Sequence, residues 1–187
     1  MERHQIFLVA VPGLEAPLRR EALACGFHNP RVVRGGVIFE GGWPHVWRAN
    51  LLLRGAVRVL VRVGVFKAHH LAQIGPETRR LPWGALIARG TPVRVAASCA
   101  KSRINHAGAV AARVSAALVE AVGAVVSEDA AEERALGVVV RVEKDHVTLS
   151  LDTSGAPLHR RGHKQAVAKA PLRETMAALF LQEMGFD

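Results

Sequence analysis

The chain has 187 residues, half of them hydrophobic and 22% charged, a composition for one ordinary folded domain or two small ones and not for a disordered chain. Its 25 Lys/Arg against 16 Asp/Glu leave a formal charge of +9, which points to an anionic partner, most simply nucleic acid. Two cysteines exclude a zinc ribbon, a cysteine-ligated cluster and a disulfide scaffold, and 5% aromatics with no tyrosine argue against stacking bases on a sheet.

In chain order, Ile6 to Val11 reads as a short buried strand. Leu14 to Cys25 carries Leu14, Leu18, Ala22 and Leu23 at helical spacing, with Gly26 suited to the helix end. Arg31–Arg34 and Val37–Glu40 are strand-like and flank Gly35-Gly36, a hairpin signal. Pro44 to Leu53 reads as a helix, and Val57 to Phe66 alternates as a strand. The order β-α-β-β-α-β predicts a ferredoxin-like unit over residues 1–68.

Helical material follows over His70 to Leu81, broken by Pro76 and Pro82. Pro92 to Ser98 reads as a strand. Asn105 to Val122 is the strongest helix pattern, with Ser102 and Asn105 as competent N-caps. Leu136–Val142 and Val147–Leu151 form a hairpin across Glu143–His146. A polar, basic segment then leads to Pro171, which opens a helix to about Met184. The fold class is therefore α/β (α+β): residues 1–68, a second α/β domain over 69–156, and a basic linker with one helix over 157–187.

No stretch approaches the roughly 18 uncharged apolar residues of a membrane span. The nearest, Val114 to Ser127, contains Glu120, and the N-terminal stretch lacks a signal-peptide layout. A cytoplasmic protein with no membrane partner is expected. Little in the chain points to catalysis. No two glycines stand two apart, so there is no Gly-x-Gly, and there is no Walker loop, Gly-x-Ser-x-Gly or His-Glu-x-x-His. Ser98, Cys99, Lys101 and Ser102 have no histidine or carboxylate in register to activate them. His159 and His163 are four apart but lack a third ligand. No catalytic, cofactor-binding or metal residue is assigned.

Three basic segments remain. Lys101, Ser102, Arg103 and His106 lie where a strand ends and the strongest helix begins, a place where backbone N–H groups and the helix dipole suit a phosphate. Arg160, Arg161 and Lys164 belong to Pro157–Lys164, five of whose eight residues are Lys, Arg or His. Arg54, Arg58 and Arg62 recur with period four, one-sided along a strand. All ten are candidate RNA contacts. Glu128, Asp129, Glu132 and Glu133 read as a solvated acidic loop pointing away from any nucleic acid.

The stretches Leu149-Ser-Leu-Asp-Thr-Ser-Gly-Ala-Pro-Leu-His-Arg-Arg-Gly-His163-Lys and Ala170-Pro-Leu-Arg-Glu-Thr-Met-Ala-Ala resemble the domain junction of bacterial THUMP-containing RNA methyltransferases, which make N2-methylguanine in large-subunit ribosomal RNA. Lys101-Ser-Arg-Ile-Asn-His106 resembles a THUMP segment. Asn29-Pro-Arg-Val-Val-Arg-Gly-Gly-Val-Ile-Phe-Glu-Gly and Trp47-Arg-Ala-Asn-Leu-Leu-Leu-Arg54 resemble the ferredoxin-like region ahead of it. The resemblance implies a THUMP domain over 69–156, structured and ribosomal RNA as partner, and a methyltransferase domain in cis that brings S-adenosylmethionine. That domain's Asp-Pro-x-Cys-Gly-Ser-Gly and Asn-Pro-Pro-Tyr-like loops do not occur in these 187 residues. RNA binding therefore carries over to this stretch, and cofactor binding and methyl transfer do not. A THUMP module of a transfer-RNA-modifying enzyme and a protein-interaction module with incidental charge stand as alternatives.

Overall fold

A computed structural model of the chain describes residues 3–127, 134–161 and 172–186. The chain divides into two compact units, Met1–Val61 with Ala156–Asp187, and Arg62–Gly155. The division falls between Val61 and Arg62 and again between Gly155 and Ala156, where the sequence reading set its bounds at 68 and 156. At the described start of the expected linker, the Leu158 N–H donates to the Val57 carbonyl at 2.9 Å, a bond within the first unit.

The first unit runs β1 (His4–Val9), α1 (Glu15–Ala24), β2 (Arg31–Val33), β3 (Gly36–Gly41), α2 (Trp43–Leu52) and the start of β4 (Arg58–Lys67). Its strand order is β2-β3-β1-β4 with antiparallel neighbours, the ferredoxin-like arrangement. The period-two pattern of β1 buries His4, Ile6 and Leu8, and Leu18 and Ala22 of α1 and Val46 and Ala49 of α2 are buried in the same unit. The hairpin turn is Arg34-Gly35, one residue earlier than expected. Gly35 supplies the positive φ of +79°, and Gly36 already pairs with Val33. Gly36 is a glycine for another reason: a Cβ there would lie 2.0 Å from the Leu8 carbonyl oxygen.

The last helix, α5 (Glu174–Glu183), packs on α1 in this unit. Leu179 is fully buried, meets Gly55 closely, and Arg20 pairs with Glu183. Arg173 stands at the N-cap, and Pro171, expected at the first helical position, lies outside the described residues.

The second unit takes the rest of β4, a 3-10 turn at Leu71–Gln73, α3 (Ile74–Arg79), a second 3-10 turn at Trp83–Ala85, β5 (Pro92–Ala100), α4 (Ala107–Val122), β6 (Val125–Val126), β7 (Leu136–Glu143) and β8 (His146–Asp152). The strands run β8-β7-β5-β6; β5 is parallel to both β6 and β7, and β7 is antiparallel to β8. Pro76 does not break α3, contrary to expectation. It is the third helical residue, in the first turn, where a missing N–H costs no intrahelical bond. The α4 face Val110, Val114, Ala117 and Leu118 is buried, and Gly123 ends the helix at φ +64°. Its N-cap is His106, not Ser102 or Asn105: the His106 Nδ1 accepts the Ala109 N–H at 3.0 Å. The β7–β8 turn is only Lys144-Asp145. Both residues have positive φ, +50° and +62°, as a two-residue type I′ turn demands.

No helix among the described residues is long and apolar enough to cross a membrane.

Candidate functional site

Strand β5 ends at Ala100, in register with Glu143 of β7. The chain then bends at Lys101, whose φ is +50°, and runs through Ile104, buried as an anchor, to α4. The β7–β8 turn stands beside this loop: the Lys144 N–H donates to the Ala100 carbonyl at 3.4 Å. The Asp145 carboxylate faces the loop directly. Its Oδ1 accepts the Ser102 hydroxyl at 2.7 Å and the Arg103 N–H at 2.9 Å, while the Asp145 N–H donates back to Ser102 Oγ at 3.2 Å. Its Oδ2 lies 3.2 Å from His69 Nδ1 and 4.0 Å from Arg103 Nε. The Asp145 carbonyl accepts the Ala68 N–H at 2.9 Å. Three chain segments thus meet on one residue. The Arg103 N–H, then the Ser102 hydroxyl, with His69 adding to them, hold the Asp145 carboxyl at about 2. It is therefore ionised at neutral pH.

Around this carboxylate Lys67, Lys101, Arg103 and Lys144 are exposed, as are His69, His70, His106 and His146. Lys67, Lys101, Arg103 and Lys144 thus stand within two residues of the groups bonded to Asp145, while Glu143, in register with Ala100, is paired with Arg141, so exposed positive charge collects at this end of the unit. The sequence pattern singled out Lys101, Ser102, Arg103 and His106, which the fold does bring to this end. It missed Lys67, Lys144 and Asp145. The available signal was Lys144-Asp145 as the centre of a two-residue hairpin between apolar strands.

Ser102 and His106 also have structural roles, Ser102 toward Asp145 and His106 as the α4 cap. The Ser102 hydroxyl proton is directed at Asp145, so it fixes the loop instead of facing a ligand. The carboxylate also stands between Ser102 and His69, so the imidazole cannot take the hydroxyl proton, and the trio is a latch and not a nucleophile with its base. Burial pushes the Cys99 thiol up, and burial followed by Glu21 does the same for Cys25, which keeps both as thiols. The β5–α4–β6 crossover loop, residues 101–106, contains no glycine, so it lacks the close backbone approach that a Rossmann-type cofactor cradle requires.

The other candidates are placed differently. Arg54 precedes β4, so the expected arginine stripe along one strand does not form. The N–H groups of Arg54 and Gly55 donate to the two oxygens of buried Glu21, at 2.7 and 2.9 Å, and the Arg54 Nε lies 3.9 Å from the same carboxylate. Arg54 and Arg58 belong to the first unit. Arg62 belongs to the second, half-buried, where burial and then the Arg141 guanidinium push its pKa down. Arg160 is exposed in the first unit. Lys164, His163 and the acidic residues 128–133 lie outside the described residues.

Arg161 is a helix cap. Its guanidinium donates to the carbonyls of Asn50 (2.7 Å), Leu53 (2.8 Å) and Leu51 (3.1 Å), the orphan acceptors at the end of α2. Arg161→Ala should therefore lower unfolding stability by about 1–3 kcal/mol through three lost charge-assisted bonds. Denaturant unfolding checks this; unchanged stability would return Arg161 to the pool of available surface cations.

Residues 5–60 match the RlmL ferredoxin-like domain family. The chain is 31% identical over 189 residues to YpsC of Bacillus subtilis (strain 168), which is named as an RNA methyltransferase, covering 97% of this chain and 48% of that protein. It is 31% identical over 185 residues to the ribosomal RNA large subunit methyltransferase K/L of Syntrophotalea carbinolica, covering 97% of this chain and 26% of that protein. Among solved structures, a protein of Listeria monocytogenes str. 4b F2365 described as a predicted N6-adenine-specific DNA methylase superposes with a TM-score of 0.84 at 35% identity, over 97% of this chain and 48% of that one. The chain thus spans about half or less of the length of the relatives it matches. The β2-β3-β1-β4 order and the match over residues 5–60 agree that the first unit carries an RlmL ferredoxin-like domain, and the chain as a whole is similar to part of proteins named as RNA methyltransferases.

Proposed function

We propose that this chain is the RNA-binding module of an RNA methyltransferase. It holds structured RNA, ribosomal by the resemblance, for guanine-N2 methylation by a domain in cis that carries S-adenosylmethionine, in the cytoplasm. The reading rests on the exposed cations at the latched end of the second unit, Lys67, Lys101, Arg103 and Lys144. Homology to proteins named as RNA methyltransferases supplies the context. By the same resemblance, residues 69–156 are read as a THUMP domain. Lysine and arginine on a rigid loop suit phosphates, which fix register and orientation, and they leave the choice of base to the chemistry that follows.

Binding of this chain to a stem-loop RNA should be weak and steeply salt-dependent. Each neutralised phosphate contributes about −0.7 to −0.9 to the log–log slope, so three to five contacts lower affinity roughly twenty- to several-hundredfold between 50 and 200 mM salt. Fluorescence anisotropy across that range reads the slope. A slope near zero would overturn the proposal in favour of a protein-interaction module.

A further inference from the structure

An acidic residue beside a run of cations ought to weaken its hold on RNA, and the Asp145 carboxylate is hydrogen-bonded to the Lys101–His106 loop itself. It is not spent on neutralising a lysine. Its shortest contacts are to the Ser102 hydroxyl and the Arg103 backbone N–H, and the guanidinium of Arg103 stands off at 4.0 Å. Its own N–H and carbonyl are also engaged, with Ser102 and Ala68. We infer that Asp145 is a positioning residue for RNA: it holds the Lys101–His106 loop and the β7–β8 turn in one fixed arrangement, so that Lys101, Arg103 and Lys144 meet phosphates without first being ordered.

The physical reason lies in the loop's backbone. Lys101 and Lys144 are lysines at φ +50°, a conformation that disfavours them, and the strand-to-helix loop has only Ile104 as a buried anchor. Without the latch, residues 101–103 regain backbone freedom, and binding must pay to order them again. Charge alone predicts the opposite sign, since deleting a carboxylate makes the surface more positive.

This inference rests on the proposed RNA-binding role, and the test separates the two. Asp145→Gly keeps the turn, because glycine accepts positive φ, and removes the latch together with the negative charge. Ser102→Ala removes the other half of the latch at constant charge. Both variants should bind the stem-loop RNA about five- to tenfold more weakly at fixed salt, with the thermal midpoint little changed. Their Arg103 amide should exchange its hydrogen faster than in the native chain. Asp145→Asn, which retains an acceptor oxygen and suits the left-handed turn, should recover much of the affinity. Tighter binding by Asp145→Gly with no loss in Ser102→Ala would overturn the latch while leaving the RNA-binding role standing. If Lys101→Ala with Arg103→Ala is also without effect, the RNA-binding role itself falls, and the latch's role with it.

Discussion

Replacing Lys101 and Arg103 together by alanine should lower affinity for structured RNA by roughly ten- to thirtyfold at low salt, through the loss of two charge-assisted phosphate contacts. The diagnostic is the salt slope, which should become shallower by about 1.4 to 1.8. Both side chains are exposed, and the loop's geometry is set by the Arg103 backbone N–H and by Ser102, not by the two charges. The fold should therefore survive, because exposed substitutions usually cost within about 0.5 kcal/mol. The matched control is Arg79→Ala with Arg80→Ala. It removes the same formal charge from the same unit, but Arg79 is paired with Glu120 at 2.7 Å and Arg80 with Glu77 at 2.6 Å. The control should shift affinity little. Equal losses from both pairs would mean that net charge and not the loop attracts the RNA.

Gly36→Ala should destabilise the first unit by about 3 kcal/mol or more, the scale of a severe core overpacking. The added Cβ would sit 2.0 Å from the Leu8 carbonyl oxygen and 2.8 Å from the Phe7 ring. One of these is backbone of the central strand β1, which is paired on both sides and cannot move without breaking a ladder. The neighbouring glycine serves as the contrast. Gly35 has nothing within 4 Å of its would-be Cβ, so Gly35→Ala should cost only about 1 kcal/mol, the strain of a positive φ. Denaturation midpoints followed by circular dichroism order the two. A Gly35→Ala cost equal to that of Gly36→Ala would mean that the turn, and not the close approach of two strands, dictates glycine here.

The first unit was largely legible in the sequence. Its strands alternate with period two and its helices show apolar positions at three- and four-residue spacing, so the β-α-β-β-α-β order followed from local pattern. The misplaced hairpin turn came from reading two adjacent glycines as one signal. Gly35 answers to backbone dihedral and Gly36 to a neighbouring strand, and only the second needs the sheet to be seen. The arginine triad failed for a related reason. Period four is one-sided only if all three residues share an element, and Arg54 lies before the strand, tied to buried Glu21.

The site divides in the same way. Net charge, the absence of Gly-x-Gly and the cations ahead of the strongest helix are properties of residue type and short spacing, and these pointed to an anionic partner and to the loop. What only the tertiary structure decided is which cations belong together and which carry load. Asp145 lies 43 residues from Ser102, and Arg161 lies more than 100 from the carbonyls it caps, yet both are within hydrogen-bond distance. Polar side chains carry no periodic signature of a distant partner. Burial patterns are written along an element because every turn or pleat repeats them, whereas a single hydrogen bond between two loops is set by how the strands beneath them are ordered. The sequence therefore determined the elements and the charge, and the ordering of β7 and β8 beside β5 determined that Lys144 and Asp145 stand next to Lys101.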